Sequence, residues 1–113
     1  MNDPLLVNLT FTRLQVIGAC YPALRWLKNQ SDLRLAWETC HNGHWMYWLL
    51  TRFFVDRPTR DLAFEASRVA MQRYRSDLRN RPGDDAEYAL RADAIRSIVS
   101  FERLWEAYER TFA

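Results

Sequence analysis

DAEYALRADAIRSIVSFERLWEAYERTFA, residues 85–113, decides the fold class. Leu90, Ala94, Ile98, Phe101, Trp105, Tyr108 and Phe112 recur at intervals of 4, 4, 3, 4, 3 and 4. Side chains three and four apart share one face of a helix, so this spacing predicts a single amphipathic helix from Asp85 to about Thr111. Arg81-Pro82-Gly83-Asp84 precedes it and reads as a turn.

Working back, Thr59 is a candidate N-cap for a long helix to about Asn80, with Leu62, Ala66, Val69 and Ala70 as its inner stripe. Asp56-Arg57-Pro58-Thr59 separates it from a helix over His44–Phe54 that is apolar nearly all round, the pattern of a buried central helix. Before that, Leu33, Ala36, Trp37 and Cys40 form a helical stripe capped from Asn29-Gln30-Ser31-Asp32 and ended at Asn42-Gly43. Pro22 suits the first turn of a helix starting near Ala19–Tyr21 and running to Lys28. Thr12 can cap a short helix through Ile17, ended by Gly18. Val7, Leu9 and Phe11 alternate with Asn8 and Thr10, so the first dozen residues read as an extended arm or irregular turn. The expectation is all-α: one compact domain over 1–113, of about five helices, with a short extended N-terminal arm.

The composition agrees. Of 113 residues 49% are hydrophobic, enough for a core without disulfides or metal. With five Trp, five Tyr and six Phe, some rings are expected at the surface. Two cysteines are too few for a disulfide scaffold. No basic-then-apolar leader and no spanning apolar run occurs, so a cytoplasmic protein without membrane association is expected.

Catalytic and cofactor signals are sparse. Cys40, His41 and His44 are close in sequence, and with Cys20 they make an inventory for zinc, but neither C-x-x-C nor H-x(3–5)-H spacing occurs. Cys40 beside His41 lacks a third orienting residue for a nucleophile–base pair. The three glycines, Gly18, Gly43 and Gly83, never share a short loop, so no phosphate cradle is present. The expectation is no catalytic residue, no metal and no cofactor.

Charge and aromatics point instead to a binding role. The net charge is only +2, yet residues 52–81 hold eight arginines against four acids. Arg68, Arg75 and Arg79 fall at 7 and 4 spacing, one face of a helix, and make a small nucleic-acid-binding module the alternative reading. Trp105, Tyr108 and Arg110 lie at the end of the last stripe, where a short domain has least material to cover them. They are candidate contacts for a protein partner or a second copy of the chain, with Arg68, Arg75 and Arg79 as the rim.

One further stretch carries a resemblance. Gly18-Ala19-Cys20, Ala23 and Trp26, then Ala36-Trp37-x-x-Cys40-x-x-Gly43-x-Trp45-Met46-x-Trp48-Leu49 resembles a segment of small bacterial and phage proteins. These include a family regarded as immunity proteins of polymorphic toxin systems. The likeness covers about residues 14–50; His44 and Pro22 stand where that family usually has an Asp or Asn and a polar residue. It implies an all-α fold and a protein that blocks a bacterial toxin or defence effector, as an immunity protein or a phage-encoded inhibitor such as an anti-CRISPR. Read for its physics, the motif is architecture, with Trp37 and Trp48 buried and Gly43 closing a helix.

Overall fold

A computed structural model describes residues 4–81 and 85–113, and these form seven helices with no strand among the described residues. The chain divides into two compact units, Met1–Thr39 and Cys40–Ala113.

In the first unit, α1 (Pro4–Val16) replaces the expected arm. Val7, Thr10 and Leu14 are its buried positions, a spacing of one helical face, while Leu9 is exposed. The apparent alternation was an accident of where Phe11 and Leu9 fall. Thr10 and Thr12, poor helix formers on propensity, turn their hydroxyls back to the carbonyls of Leu6 and Asn8 at 2.9 and 3.1 Å. The helix ends as expected at Gly18, whose φ of 95° lets the N–H of Ala19 reach Leu14 and that of Gly18 reach Gln15.

Helix α2 (Tyr21–Lys28) carries Pro22 in its first turn and buries Leu24 and Leu27. Asp32 caps α3 (Leu33–Thr39), accepting from the Arg34 N–H at 3.0 Å, and the helix buries Leu33, Ala36 and Trp37.

The second unit opens on a correction. Gly43 does not close a helix; it begins α4 (Gly43–Arg52), and Asn42 is the N-cap, its side chain accepting from His44 N at 3.0 Å and Trp45 N at 3.2 Å. Gly43 is needed because α6 passes directly beside it. A Cβ there would run into Arg91 Cβ and stand 2.8 Å from the Ala92 nitrogen. Nor is α4 buried all round: Met46 and Leu50 are buried, but Tyr47, Trp48 and Leu49 are only half-buried. Of the two tryptophans expected inside, Trp37 is buried and Trp48 is not, the Arg52 guanidinium lying 5.3 Å over its ring.

Helix α5 (Arg57–Arg75) is capped by Asp56 rather than Thr59. The Asp56 carboxylate accepts both the Thr59 N–H, at 3.0 Å, and the Thr59 hydroxyl, at 2.7 Å. These bonds hold the Asp56 carboxyl below the usual carboxylate range. The buried stripe is Thr59, Ala63 and Met71, so Leu62 faces outward. The helix stops at Arg75, and Asn80 folds back, its amide donating to Tyr74 O at 2.8 Å. Pro82, Gly83 and Asp84, read as a turn, lie outside the described residues.

The long last helix is two. Helix α6 (Asp85–Ile98) and α7 (Phe101–Thr111) break at Ser100, whose hydroxyl caps α7 through the Arg103 N–H at 3.3 Å. The inner positions of α6 are Glu87, Ala92 and Ile95, followed by Val99, while Leu90 faces solvent. Helix α6 packs chiefly on α5 and α4. On α7 the expected stripe holds in part: Phe101 and Tyr108 are buried, together with Leu104 and Ala107, while Trp105 and Phe112 are half-buried.

Candidate partner-binding surface

Two groups of side chains carried the expected surface, and most of them are engaged within the second unit. At the end of α7, Tyr108 is 3% exposed, with Trp105 stacked on it at 4.6 Å and Phe53 edge-on at 5.4 Å. Phe112 closes the cluster, 5.0 Å from Tyr108 and 6.0 Å from Phe53. This corrects the reading of Tyr108 as a contact residue. Phe53, which follows α4, supplies the cover that a chain end was expected to lack. Trp105 is half-buried, and Arg110 is exposed with its guanidinium on the Phe54 carbonyl at 3.0 Å.

The arginine face does not form either. Arg68 Nε donates to Glu65 at 2.9 Å and Arg79 Nε to Asp77 at 3.0 Å. Each pairing holds its carboxyl below the usual range and raises its guanidinium. Arg79 lies past the end of α5, off the face it was assigned to. Arg75 reaches across to the buried Glu87 on α6.

Glu87 is the centre of the polar interior. Both carboxylate oxygens face Arg75, Nε to Oε2 being 3.4 Å, and Arg91 Nη2 reaches Oε1 at 3.2 Å. Arg91 Nη1 lies 3.3 Å from His44 Nε2, and the His44 ring meets Tyr88 edge-on at 5.0 Å. A third arginine, Arg96, donates to the Cys40 carbonyl and to Asp93, and approaches the Met46 sulfur at 3.8 Å. These contacts join α4, α5 and α6. A carboxylate already committed to two guanidinium groups is a poor general base, so the cluster reads as a clasp.

His44 gives the clasp a pH dependence. An arginine can only donate, so His44 Nε2 must accept and the ring must be neutral. Burial and then the Arg91 charge lower its pKa, with Glu87 opposing. The unfolded chain therefore takes this proton more readily. The stabilisation is fully present above about pH 6.5 and is lost as pH falls through the lower folded value. Between pH 7 and pH 5 the melting temperature of the wild type is expected to fall more than that of His44→Gln. The difference is small, below about 1 kcal/mol, because the ring is exposed enough for solvent to screen it. Equal slopes in the two proteins would remove His44 from the clasp.

Cys40 is buried, and burial pushes its thiol pKa up, away from thiolate reactivity. Cys20 is exposed in the first unit. Among the described residues no group of three His, Cys, Asp or Glu is placed to hold a metal ion. No helix among them is long and apolar enough to cross a membrane.

What the second unit does present is apolar surface that the sequence did not flag. Phe54 is 62% exposed, Leu62 59% and Phe64 52%. Phe64 touches the half-buried Tyr47 at 5.7 Å between ring centres. Leu62 was assigned to the inner stripe and Phe64 to neither face. For Phe54 the signal was its place just before the Asp56-Arg57-Pro58 break, where α4 can no longer carry a side chain inward. Comparison with known proteins finds no matching family, no matching curated protein and no matching solved structure.

Proposed function

We propose that this protein acts by binding another protein, without chemistry of its own, and that it blocks a bacterial effector in the cytoplasm. It would serve as an immunity protein of a toxin system or as a phage-encoded inhibitor of a host defence nuclease, such as an anti-CRISPR. The observation that carries the binding role is that four large apolar side chains of the second unit, Phe54, Leu62, Phe64 and Leu78, are each more than half exposed. Burying them in a small domain would stabilise it, so leaving them in water has a cost of roughly 1–2 kcal/mol each that a partner would recover. The resemblance around Ala36–Leu49 supports the choice of a bacterial effector. A nucleic-acid role for the arginines has less behind it, since Arg68, Arg75 and Arg79 each hold a carboxylate.

The test is affinity purification of the tagged chain from cells producing toxin and defence effectors, with and without nuclease treatment. One protein recovered in stoichiometric amount after nuclease treatment is the expected result. Recovery of nucleic acid alone, with binding that weakens steeply as salt is raised, would overturn the reading.

A further inference from the structure

Asn42-Gly43 is the one place in the chain where asparagine precedes glycine. Such a pair carries its own chemistry. The side-chain amide carbon is open to attack by the next backbone nitrogen, and a following glycine puts no side chain in the way. The Gly43 nitrogen, its proton taken by hydroxide, bonds to Asn42 Cγ. The Cγ–Nδ2 bond then breaks, and ammonia leaves with a proton from water, regenerating the hydroxide. Water opens the resulting five-membered imide at either carbonyl, giving aspartate or isoaspartate.

The fold holds this reaction off at every point. Ring closure needs Asn42 Cβ and the Gly43 nitrogen eclipsed about the Cα–C bond, far from the ψ of 97° found there. Turning ψ would swing the Asn42 carbonyl away from the Met46 N–H, which it accepts at 3.3 Å. The side-chain amide must also be released, since its Oδ1 accepts from His44 N and Trp45 N. Gly43 itself is buried against Arg91 and Ala92 of α6. The attack therefore waits on the first turn of α4 leaving α6. Nor can the pair be removed from its glycine side, because a Cβ at 43 meets the backbone of α6 at Ala92. The close approach of the two helices and the lability of Asn42 come from the same missing side chain.

We infer that Asn42-Gly43 is a self-modification site, gated by α6, that makes prolonged opening of α4 irreversible. Isoaspartate carries the main chain through Cβ, one methylene longer, and presents its free carboxylate from Cα. That carboxylate cannot cap α4 in the old register, so the first turn cannot return to its place on α6. The aspartate product keeps the normal main chain and caps as asparagine does. Nothing in this step depends on a binding partner.

The test follows residue 42 of the full chain by peptide mass spectrometry, with an isoaspartate methyltransferase marking the isoaspartate form. Protein is held at mildly alkaline pH, either folded or in guanidinium chloride. The unfolded chain is expected to convert at residue 42 at least about tenfold faster than the folded one, since only the opened fraction reacts. Under folding conditions Glu87→Ala, which loosens α6, should convert faster than the wild type. If that variant does not fold, the wild type in guanidinium just below its unfolding transition gives the same comparison. Asn42→Ser keeps a capping side chain without the amide, and should fold and stay unmodified. Chain carrying isoaspartate, diluted out of denaturant, should lack the wild-type melting transition, whereas Asn42→Asp should retain it. Equal rates in the folded and unfolded chain would overturn the gate, as would equal rates in the folded wild type and the loosened protein. No conversion in the unfolded chain would overturn the site. Recovery of wild-type melting by the isoaspartate form would overturn the irreversible step.

Discussion

Glu87→Ala is expected to destabilise the second unit by roughly 3–5 kcal/mol, the cost of removing one partner from a buried ion pair. The carboxylate is almost wholly buried between Arg75 on α5 and Arg91 on α6. Arg75 is about half exposed and can turn to water when its partner is lost. Arg91 is mostly buried, and its Nε already has no hydrogen-bond partner among the described residues. The uncompensated charge therefore falls on Arg91, and through it on His44. Glu87→Gln keeps the shape and one acceptor, and should lie between alanine and the wild type. The control is Glu65→Ala, which removes the partner of Arg68 on an exposed helix face, where water screens the pair, and should cost far less. Denaturant unfolding measures all three. If Glu87→Ala proved no worse than Glu65→Ala, the contact between α5 and α6 would be apolar in origin and the clasp incidental.

Gly43→Ala should cost roughly 3 kcal/mol, and it runs against local propensity. Within a helix alanine is favoured over glycine by about 1 kcal/mol, so on secondary structure alone the change would stabilise α4. The neighbour decides the sign. The added methyl would meet Arg91 Cβ and the backbone of α6 at Ala92, not the yielding end of a long side chain. Two helix backbones must separate, opening the packing around Met46 and Leu50 beside them. Gly43→Ala with unchanged or raised stability would show that α4 and α6 stand farther apart than described.

Helix class and most breaks were legible in the sequence because they depend on neighbours a few residues away. Gly18, Pro22 and Asp32 act within one turn of themselves, and each sits where it was expected. Readings failed where a distant segment decided. The phase of α6 was missed because Leu90, Ala94 and Ile98 run smoothly into Phe101 and Trp105, while Ser100 is a single hydroxyl in that run. Its cap restarts the helix and lets Ala92, Ile95 and Val99 become the inner face. On α5 the inner stripe is built of Thr59, Ala63 and Met71, so the largest aliphatic side chain, Leu62, pointed the wrong way. The candidate surface suffered in the same manner. Tyr108 and Phe54 are both aromatic, and only Phe53 packing on α7 settles which is inside.

The fastenings of α4 have a consequence for how the chain is made. Asn42 and the first turn of α4 leave the ribosome early, yet what holds them comes much later. Arg91 meets His44 47 residues along, Arg96 meets the Cys40 carbonyl 56 residues along, and Thr111 meets Phe54 57 residues along. Until those segments have been synthesised, Met46, Leu50 and Phe53 have no cover and are open to other chains. Closing such distant pairs is slow compared with forming a helical turn. The first unit, by contrast, ends at Thr39. Production at reduced temperature or with a holding chaperone should therefore raise the soluble yield, by protecting the α4 segment during translation.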